Sequence, residues 1–451
     1  MTPPGQGPAR SELSLLVDLY ELTMAASFHA ERREYLATFE LFSRELPPRR
    51  NFLVAAGLEQ ALDHLESLRF GSEDLQYLRS LELFEEDFLE FLGDLRFTGE
   101  VHAFSEGEII FPPEPILRVT APLIEAQIVE TFLLNTLDFQ TMVASKSARI
   151  ALAASGTTFV DFSARRDHGA DAAVMAARAA FIGGASATSN LLAARRFGIS
   201  PSGTMAHSYV MTMGDEKKAF LTFARHFPNS ATLLIDTYDT LQGARKAAEA
   251  ANELASEGIR VRGVRIDSGD LLRTVPLVRE ALDDAGHPEI EIFVSGELDE
   301  DRIATLMRAG TPVDGFGVGT ALGTSSDAPY IGGVYKLVED FEGPRLKLSA
   351  GKATLPGTKQ VYRFYDAERA SGDLITLGSE PAPTRGRSLL KKVMERGVRL
   401  HPPEPLLELQ ARCKKSIEEL PEHLRSLDAA EPYPVEISQS LLDLKESFSV
   451  S

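Results

Sequence analysis

Apolar and polar residues follow two different patterns along the first third of the chain. Residues 13–30, 55–93 and 122–154 carry apolar side chains at intervals of three and four, the spacing that gives a helix one apolar face. The stretch ATFELFSREL is predicted to be a strand, and GEVHAFSEGEIIF alternates in the manner of a strand pair. These patterns predict an N-terminal α/β domain over residues 1–140.

From Gly156 onward the pattern changes to short apolar runs, each of which ends in polar residues and glycine. Six of these runs are TTFVDFS, SGTMAHSYV, ATLLIDTY, VRGVRIDSGD, EIEIFVSGELD and VDGFGVGT. Helical stretches such as AVMAARAAFI and TLQGARKAAEAANELASEG separate most of them. This order is typical of a parallel sheet whose strands are joined by helices. It predicts an irregular TIM-type barrel over residues 141–329 as the catalytic domain.

After Pro329 the chain returns to strand-like segments, namely GGVYKLVEDF, RLKLSAGK and KQVYRFYD. We expect these segments to complete the N-terminal domain over residues 330–390. The stretch PEPLLELQARCKKSIEELPEHLRSL is charged and helical in spacing. Residues 390–451 are therefore predicted to form a helical C-terminal tail, and the predicted fold class is α/β.

The composition is that of an acidic, soluble chain. Its 451 residues are enough for two or three domains with buried cores, 43% of them are hydrophobic, and the net charge is −19. A chain without a basic cluster lacks the phosphate neutralisation on which nucleic-acid binding depends. Cys413 is the single cysteine, which excludes an intrachain disulfide and a cysteine-ligated metal cluster. Because we find neither a signal peptide nor an apolar run of about 18–20 residues, we expect a cytoplasmic protein without membrane contact.

Polar residues follow the predicted barrel strands, and the chemistry of such barrels takes place at the carboxyl ends of the strands. Packing alone does not readily explain so many polar residues along one edge. The residues that the sequence places there are Arg165, Arg166, His207, Asp236, Asp267, Ser268, Ser295, Glu297, Gly317, Gly319 and Thr320.

Two of these segments could bind an anion. VDGFGVGT has the form of a phosphate-binding turn, in which glycines let backbone N–H groups approach oxygen atoms, but a plain tight turn has the same composition. In VRIDSGDL the side chains of Arg265 and Asp267 share one face of a strand. They could form a structural ion pair, or bind an anion and a metal-chelated diol.

Each of the remaining segments, taken alone, also allows more than one interpretation. LIDTYDT offers Asp236 and Asp239, the second of which could simply cap a helix. The adjacent Arg165 and Arg166 in FSARRDHG suit a carboxylate or phosphate, although a solvated loop is the plainer interpretation, and we expect His168 to face solvent. His207 could be a buried hydrogen-bonding residue, but its small polar neighbours favour a functional role.

Taken together, these segments resemble nicotinate phosphoribosyltransferase, a type II phosphoribosyltransferase. The resemblance runs over nearly the whole chain, through DLYELTMAASF, FSARRDHGADA, FIGGASATSN, SGTMAHSYV, LIDTYDT, GVRIDSGDL, GFGVGTAL, GGVYKLVE and ATLPGTKQVYR. It implies an enzyme of NAD salvage that joins nicotinate to 5-phosphoribosyl 1-diphosphate, giving nicotinate mononucleotide and pyrophosphate. It also implies coupled ATP hydrolysis through a phosphohistidine, Mg²⁺ as cofactor and a homodimer with shared active sites.

The resemblance also implies a role for individual residues. His207 matches the histidine that takes phosphate from ATP, Asp236 the carboxylate that orients this ring, and Asp267 a residue that holds the ribose hydroxyls or the metal. Tyr20 matches an aromatic residue that stacks on the pyridine ring across the dimer interface. The other residues expected to contact substrates are Arg165, Arg166, Ser186, Thr204, Ser208, Arg265, Ser268, Gly296, Gly317, Gly319, Thr320 and Thr354.

The segment FIGGASATSN bears on the choice of substrate. Relatives that use nicotinamide carry an aspartate in this turn, whereas this chain has Ala185 and Ser186, which tolerate a carboxylate. The sequence therefore favours nicotinate over nicotinamide, and quinolinate enzymes are shorter. A TIM-barrel sugar-phosphate lyase or isomerase is the other alternative, but no lysine ends a predicted strand. An inactive binding protein would be expected to lose His207 or Asp267.

Overall fold

The computed structural model describes residues 10–33, 35–347 and 354–448. The chain divides into two compact units, one formed by residues 1–145 and 328–451 and the other by residues 146–327. None of the described helices is both long enough and apolar enough to cross a membrane.

The described residues form helices and strands along both units. The α-helices are α1 (Leu19–Ala30), α2 (Leu58–Ser67), α3 (Ser72–Ser80), α4 (Glu86–Asp94), α5 (Leu123–Gln127), α6 (Glu130–Ala153), α7 (Ala170–Ile182), α8 (Leu191–Phe197), α9 (His207–Met213), α10 (Glu216–His226), α11 (Thr240–Ala255), α12 (Leu271–Asp284), α13 (Glu300–Arg308), α14 (Thr320–Gly323), α15 (Leu406–Glu418) and α16 (Gln439–Ser447), with 3-10 turns at Arg10–Leu15 and Glu422–Arg425. The strands are β1 (Leu36–Ser43), β2 (Leu53–Val54), β3 (Glu100–Ala103), β4 (Ile109–Ile110), β5 (Pro115–Pro122), β6 (Thr158–Asp161), β7 (Ala187–Thr188), β8 (Thr232–Leu234), β9 (Gly263–Ile266), β10 (Glu291–Val294), β11 (Gly315–Val318), β12 (Gly333–Asp340), β13 (Gly343–Pro344), β14 (Lys359–Asp366), β15 (Arg369–Leu377), β16 (Arg387–Ser388), β17 (Lys391–Glu395), β18 (Val398–Arg399) and β19 (Val435–Ile437).

The first unit is built on a seven-stranded antiparallel sheet in the order β13-β12-β1-β5-β3-β17-β18. Its core contains apolar side chains from α1 to α5 and from the central strands, among them Leu22, Phe39 and Val119. The strand predicted from ATFELFSREL is β1, and the helices predicted over residues 55–93 are α2, α3 and α4. These predictions are confirmed.

Three predictions for the first unit need correction. Strands β3 and β4 do not pair with each other, because β3 joins β5 and β17 whereas β4 joins β2. The C-terminal tail is not purely helical, since β17, β18 and β19 belong to sheets. The charged sequence KKVME did not indicate β17, in which Met394 is the one fully buried residue and Val393 is partly buried against the core. Of RLKLSAGK, residues 345–347 form no strand and residues 348–352 lie outside the described ones.

The second unit contains six parallel strands in the order β7-β6-β11-β10-β9-β8. The first and last of these strands in the chain, β6 and β11, pair as they would in a barrel. Among the described residues β7 and β8 do not pair, and only an isolated bridge between Thr188 and Pro201 extends the sheet beyond β7. The sheet is therefore a curled half-barrel, and the closed ring of a full TIM barrel is absent from this part of the chain.

The barrel is interrupted at SGTMAHSYV, the one strand predicted in the second unit that does not form. In SGTMAHSYV, residues 202–206 are irregular and the helix α9 begins at His207. Gly203, together with Pro201 just before the stretch, lowers its tendency to join a sheet. The sequence predicted that His207 lies at the end of a strand. In the structure it lies at the start of a helix.

Two features of the second unit fix the elements next to the strand ends. A Cβ on Gly243 would overlap the carbonyl oxygen of Ile235, so glycine lets α11 lie directly against the end of β8. The buried Lys146 on α6 pairs with Glu300 and lies 2.7 Å from Asp327, while Arg149 Nε donates to Glu300 over 2.9 Å. Removing one partner of such a buried charge cluster leaves the others uncompensated, so the cluster holds the start of α13 in place.

Candidate active site

The carboxyl ends of β8, β9 and β10 bring four polar side chains into one hydrogen-bonded group. Asp236 Oδ2 accepts hydrogen bonds from the Asp267 backbone N–H over 2.9 Å and from Ser268 Oγ over 2.6 Å. Ser295 Oγ donates to Asp267 Oδ1. Because these strands are parallel neighbours, residues that follow each strand meet at the same edge of the sheet. The sequence placed these residues after parallel strands, and the structure shows the hydrogen bonds between them.

His207 lies beside this group. Its Nδ1 is 3.1 Å from Thr237 Oγ1, and its Nε2 is 4.0 Å from both Asp236 Oδ1 and Asp267 Oδ2. A separation of 4.0 Å is an ion-pair distance and exceeds that of a hydrogen bond. The side chain is 39% exposed, so the ring is open to a ligand. Sequence reasoning missed Thr237, although it directly follows Asp236 in LIDTYDT.

The carboxylate of Asp236 is buried, with its side chain 1% exposed. Its Oδ1 has no hydrogen-bond partner among the described residues. A buried polar atom without a partner carries an energetic penalty of about 1–3 kcal/mol, and more if it is charged. Since His207 Nε2 is a nearby nitrogen, a charged imidazole would relieve this penalty. Asp239, by contrast, caps α11 by accepting from the Gln242 N–H over 2.8 Å, as the plainer interpretation had it.

Arg265 points a largely buried guanidinium toward the same edge. Its Nη2 donates to the Met205 carbonyl over 2.9 Å, whereas its Nε has no partner among the described residues. Burial lowers the pKa of this guanidinium, Asp267 and Asp236 raise it, and Arg165 lowers it. Arg265 forms no ion pair with Asp267 within the described ranges, so the structural ion pair considered from the sequence does not form there.

The loop after β6 carries the two adjacent arginines. Arg165 and Arg166 are exposed, and so is His168, as expected. Arg165 is close enough to Arg265 to affect its pKa, which places two cations on the same edge. Such a pair repels itself unless an anion lies between or beside the two charges.

Asp167 in the same loop was not singled out from the sequence. Its Oδ2 accepts from Ser163 Oγ over 3.0 Å, and its Oδ1 is buried without a hydrogen-bond partner among the described residues. Burial, reinforced by Asp161, raises the pKa of Asp167 to about 6. A Cβ on Gly323 would overlap this carboxylate, so α14 packs directly on the arginine loop. No local pattern signalled this contact, because it depends on the pairing of β6 with β11.

The predicted phosphate-binding glycines have different structural reasons. Gly296 has a φ of +90, and a Cβ there would overlap the carbonyl oxygen of Asp267. Glycine therefore lets the segment after β10 approach the segment after β9 closely. A Cβ on Gly317 would lie 2.5 Å from the ring of Phe162, which explains this glycine by packing. Gly319 precedes α14, and Thr320 begins it with an exposed side chain.

The other predicted contact residues of the second unit lie just before β7 or next to His207. Ala185 is buried, and the exposed Ser186 donates through Oγ to the Phe159 carbonyl over 2.8 Å. Thr204 is half-buried and Ser208 is exposed, one on each side of His207 in the chain.

Two predicted residues belong to the first unit. Tyr20 on α1 is 47% exposed, which is high for an aromatic side chain. Thr354 is buried, and its Oγ1 has no partner among the described residues.

The described residues contain no group of three or more histidine, cysteine, aspartate or glutamate side chains arranged to hold a metal ion. Mg²⁺ does not require such a group, because it is commonly held by one or two carboxylates together with substrate phosphates and water. Asp267, whose side chain is 38% exposed, fits this requirement at the strand edge.

An open parallel sheet with a histidine, two carboxylates and arginines at its carboxyl edge defines an α/β protein suited to anionic substrates. Family models for the N-terminal domain, the family core and the C-terminal domain of nicotinate phosphoribosyltransferase match residues 15–138, 157–330 and 382–445. The chain belongs to the nicotinate phosphoribosyltransferase family, and the resemblance inferred from its motifs is confirmed.

Individual relatives are similar over almost the full chain. The nicotinate phosphoribosyltransferase pncB2 of Mycobacterium tuberculosis is 47% identical over 95% of this chain and 92% of its own. The nicotinate phosphoribosyltransferase of Bacillus subtilis is 38% identical over 95% and 93%. The crystal structure of human nicotinic acid phosphoribosyltransferase superimposes with a TM-score of 0.85 and 28% identity, covering 95% of this chain and 99% of the human one.

Proposed function

We propose that the protein joins nicotinate to 5-phosphoribosyl 1-diphosphate, giving nicotinate mononucleotide and pyrophosphate, with ATP hydrolysed to ADP and phosphate through a phosphohistidine at His207. The observation that carries this proposal is the position of His207 beside Asp236 and Asp267, in a chain that matches the family along its length. The protein is then an ATP-coupled ligase of NAD salvage, and we expect it to act in the cytoplasm.

In the transfer step, the bond between the anomeric carbon of the ribose and pyrophosphate breaks, and the pyridine nitrogen attacks the resulting oxocarbenium-like sugar. No strong protein nucleophile is required, because the work of the protein is to align the partners and stabilise the separating charges. Asp267 would hold Mg²⁺ or the ribose hydroxyls. When bound, Mg²⁺ would supply positive charge to the departing pyrophosphate.

The surroundings of His207 suit an energy-coupling role. In the proposed step the ring would carry its proton on Nε2, which lies 4.0 Å from two carboxylates, and Nδ1 beside Thr237 would keep the lone pair. Nδ1 would attack the terminal phosphorus of ATP, with ADP as the leaving group. Asp236 and Asp267 would then stabilise the positive ring of the phosphohistidine.

The remaining residues would bind the anionic groups and the pyridine. Arg165, Arg166 and Arg265 would neutralise carboxylate or phosphate charge. Tyr20 would stack on the pyridine from the other subunit of a homodimer, and Thr354 would contact phosphoribosyl diphosphate through a hydroxyl that lacks a partner in the described chain. The 5′-phosphate and nearby hydroxyls would be contacted by Ser186, Thr204, Ser208, Ser268, Gly296, Gly317, Gly319 and Thr320.

The alternatives are less well supported. No lysine directly follows any of the six parallel strands, so the residues at these strand ends offer no Schiff-base nucleophile for a sugar-phosphate lyase. The FIGGASATSN turn places Ala185 and Ser186 where a nicotinamide enzyme has an aspartate, and the side chain of Ser186 is exposed just before β7. A fixed carboxylate there would repel nicotinate.

We expect nicotinate to be used at least 100-fold better than nicotinamide in kcat/KM, because a site built for one polar group leaves its partners unpaired with the other. The measurement is an assay with radiolabelled nicotinate or nicotinamide, phosphoribosyl diphosphate and Mg²⁺, with and without ATP. The variant Ser186→Asp should lower the use of nicotinate selectively, and Ser230→Asp, at an exposed serine just before β8, serves as its control. Comparable turnover of the two pyridines by the unaltered protein would contradict the assignment.

A further inference from the structure

In the first unit, three carboxylates lie close enough to Tyr20 to affect its pKa. Asp18 is the N-cap of α1, Glu21 lies in the first turn of α1, and Glu130 begins α6. Glu21 is fully buried, Glu130 is nearly so, and Asp18 is exposed. Three negative charges so close together repel one another strongly, so the arrangement requires protons or cations in specific places.

The contacts of Thr131 show where one proton lies. Its Oγ1 is 2.9 Å from Asp18 Oδ2 and 2.5 Å from Glu21 Oε1, and it accepts the Asp18 backbone N–H over 3.3 Å. A hydroxyl has one hydrogen, so it cannot donate to both carboxylates. All contacts are satisfied if Thr131 donates to the exposed Asp18 and a protonated Glu21 donates to Thr131.

The other oxygen of Glu21 supports the same assignment. Glu21 Oε2 is buried and has no hydrogen-bond partner among the described residues. A neutral carboxyl group tolerates such a position far better than a carboxylate does. The groups that face Glu21 are Asp18, Tyr20, Glu130, Thr131 and Tyr335, none of them a cation. Burial, together with Glu130 and Asp18, raises the pKa of Glu21 to about 7, against the opposing effect of Thr131.

Glu130 links this cluster to the Tyr20 hydroxyl. Burial and the charge of Glu130, which is within hydrogen-bonding reach of the hydroxyl, raise the pKa of Tyr20. Glu130 is itself fixed, because Gln127 Nε2 donates to its Oε2 over 3.1 Å and Lys336 Nζ lies 3.7 Å from its Oε1. The ring of Tyr20 is thus held at its hydroxyl end by a buried, anchored carboxylate, while the ring itself remains exposed.

We propose that Glu130 and the protonated form of Glu21 are positioning residues for Tyr20, with Glu130 fixing the ring through its hydroxyl and Glu21 fixing the first turn of α1 on Thr131. This inference rests on the proposed function for the identity of the bound pyridine. Loss of the Glu21 proton would add a third charge to the cluster and loosen the first turn of α1. The affinity for nicotinate should therefore decrease as the pH rises through neutrality.

The first test separates binding from chemistry. Tyr20→Phe and Glu130→Ala should each raise the KM for nicotinate about 5- to 20-fold, the effect of losing one hydrogen bond to a charged group. They should leave kcat within about twofold, and the double variant should be no worse than either single variant. Glu130→Gln, whose amide oxygen still accepts the bond, should restore most of the affinity. Glu31→Gln, an exposed change at the other end of α1, is the matched control. Additive effects in the double variant, or unchanged KM values, would overturn the role of Glu130.

The second test addresses the proton and does not depend on activity. Infrared difference spectra between pH 5.5 and 8.5 should show the carbonyl stretch of a protonated carboxylic acid that disappears in Glu21→Gln. Because the pKa of Glu21 is raised in the folded protein, its contribution to stability is full below about 4.5 and is lost by the time the pH has risen through about 7, so wild-type stability should decrease over this window. The variant, in which the amide nitrogen replaces the donor, should show a smaller decrease in its unfolding midpoint, and the remainder should come from Asp138 and Asp167, whose pKa values burial also raises.

The pH profile of KM for nicotinate should likewise lose its rise above neutral pH in Glu21→Gln. Coincident wild-type and variant profiles, together with an unchanged infrared spectrum, would overturn the proposal. If the wild-type protein transfers no phosphoribosyl group to nicotinate, the proposed function fails, and so does the role assigned to Tyr20. The spectra and unfolding curves would still decide the protonation of Glu21. Should Glu21→Gln not fold, the shift of the carbonyl band in Thr131→Val decides it, because Asp138 and Asp167, whose pKa values burial also raises, add bands of their own to the wild-type spectrum.

Discussion

Replacing His207 by alanine is expected to abolish both the phosphorylation of the protein and its stimulation by ATP. Incubation of the wild-type protein with γ-labelled ATP should give a label that is acid-labile and alkali-stable, as a phosphohistidine is. His207→Ala and His207→Glu should carry no label. In His207→Ala, transfer in the presence of ATP should fall to roughly the ATP-independent rate of the wild type, because positioning of the substrates does not depend on this ring.

Asp236→Asn provides the graded comparison. It removes the charge that faces Nε2 but leaves the ring in place, so labelling should weaken without disappearing. A label that persists in His207→Ala, or ATP stimulation that is unchanged in this variant, would show that His207 is only a structural residue at the start of α9.

Asp267→Ala is expected to lower kcat/KM for phosphoribosyl transfer by about 10²–10³, the effect of removing one group that stabilises developing charge. The fold should be retained, because the side chain is 38% exposed and lies at a strand end. The measurement is the transfer rate over a Mg²⁺ titration, with circular dichroism to confirm folding. Asp270→Ala changes an exposed carboxylate three residues further along and should be nearly neutral. Near-normal activity of Asp267→Ala at saturating Mg²⁺ would contradict the assigned role.

The sequence predicted the parallel strands of the second unit because strands buried on both faces are continuous apolar runs. Strands β6, β8, β9, β10 and β11 all coincide with such runs. It failed at SGTMAHSYV, where the apolar residues belong partly to α9, and it did not reveal the two-residue strand β7. Short elements carry too few residues for a periodicity to show.

Site residues were predictable where they follow strands and were missed where a contact joins distant parts of the chain. Asp236 and Asp267 end recognisable strands. The proton shared by Glu21 and Thr131 depends on the packing of α1 beside α6, which no local pattern indicates. The same is true of Asp167 under α14. The pairing of β3 was missed for a related reason, since β17, one of its two partners, is far away in the sequence.

The unpaired gap between β7 and β8 has a consequence for motion. Residues 203–206, which lead into His207, form no ladder hydrogen bonds among the described residues. Displacing this segment therefore breaks no strand pair, whereas moving Asp236 or Asp267 would disturb β8 or β9. Opening of this segment should require less free energy than opening of the neighbouring strands, so its amide hydrogens should exchange with solvent earliest along this edge. His207 would thus follow a segment that is displaced at low cost, whereas Asp236 and Asp267 are held in place by paired strands.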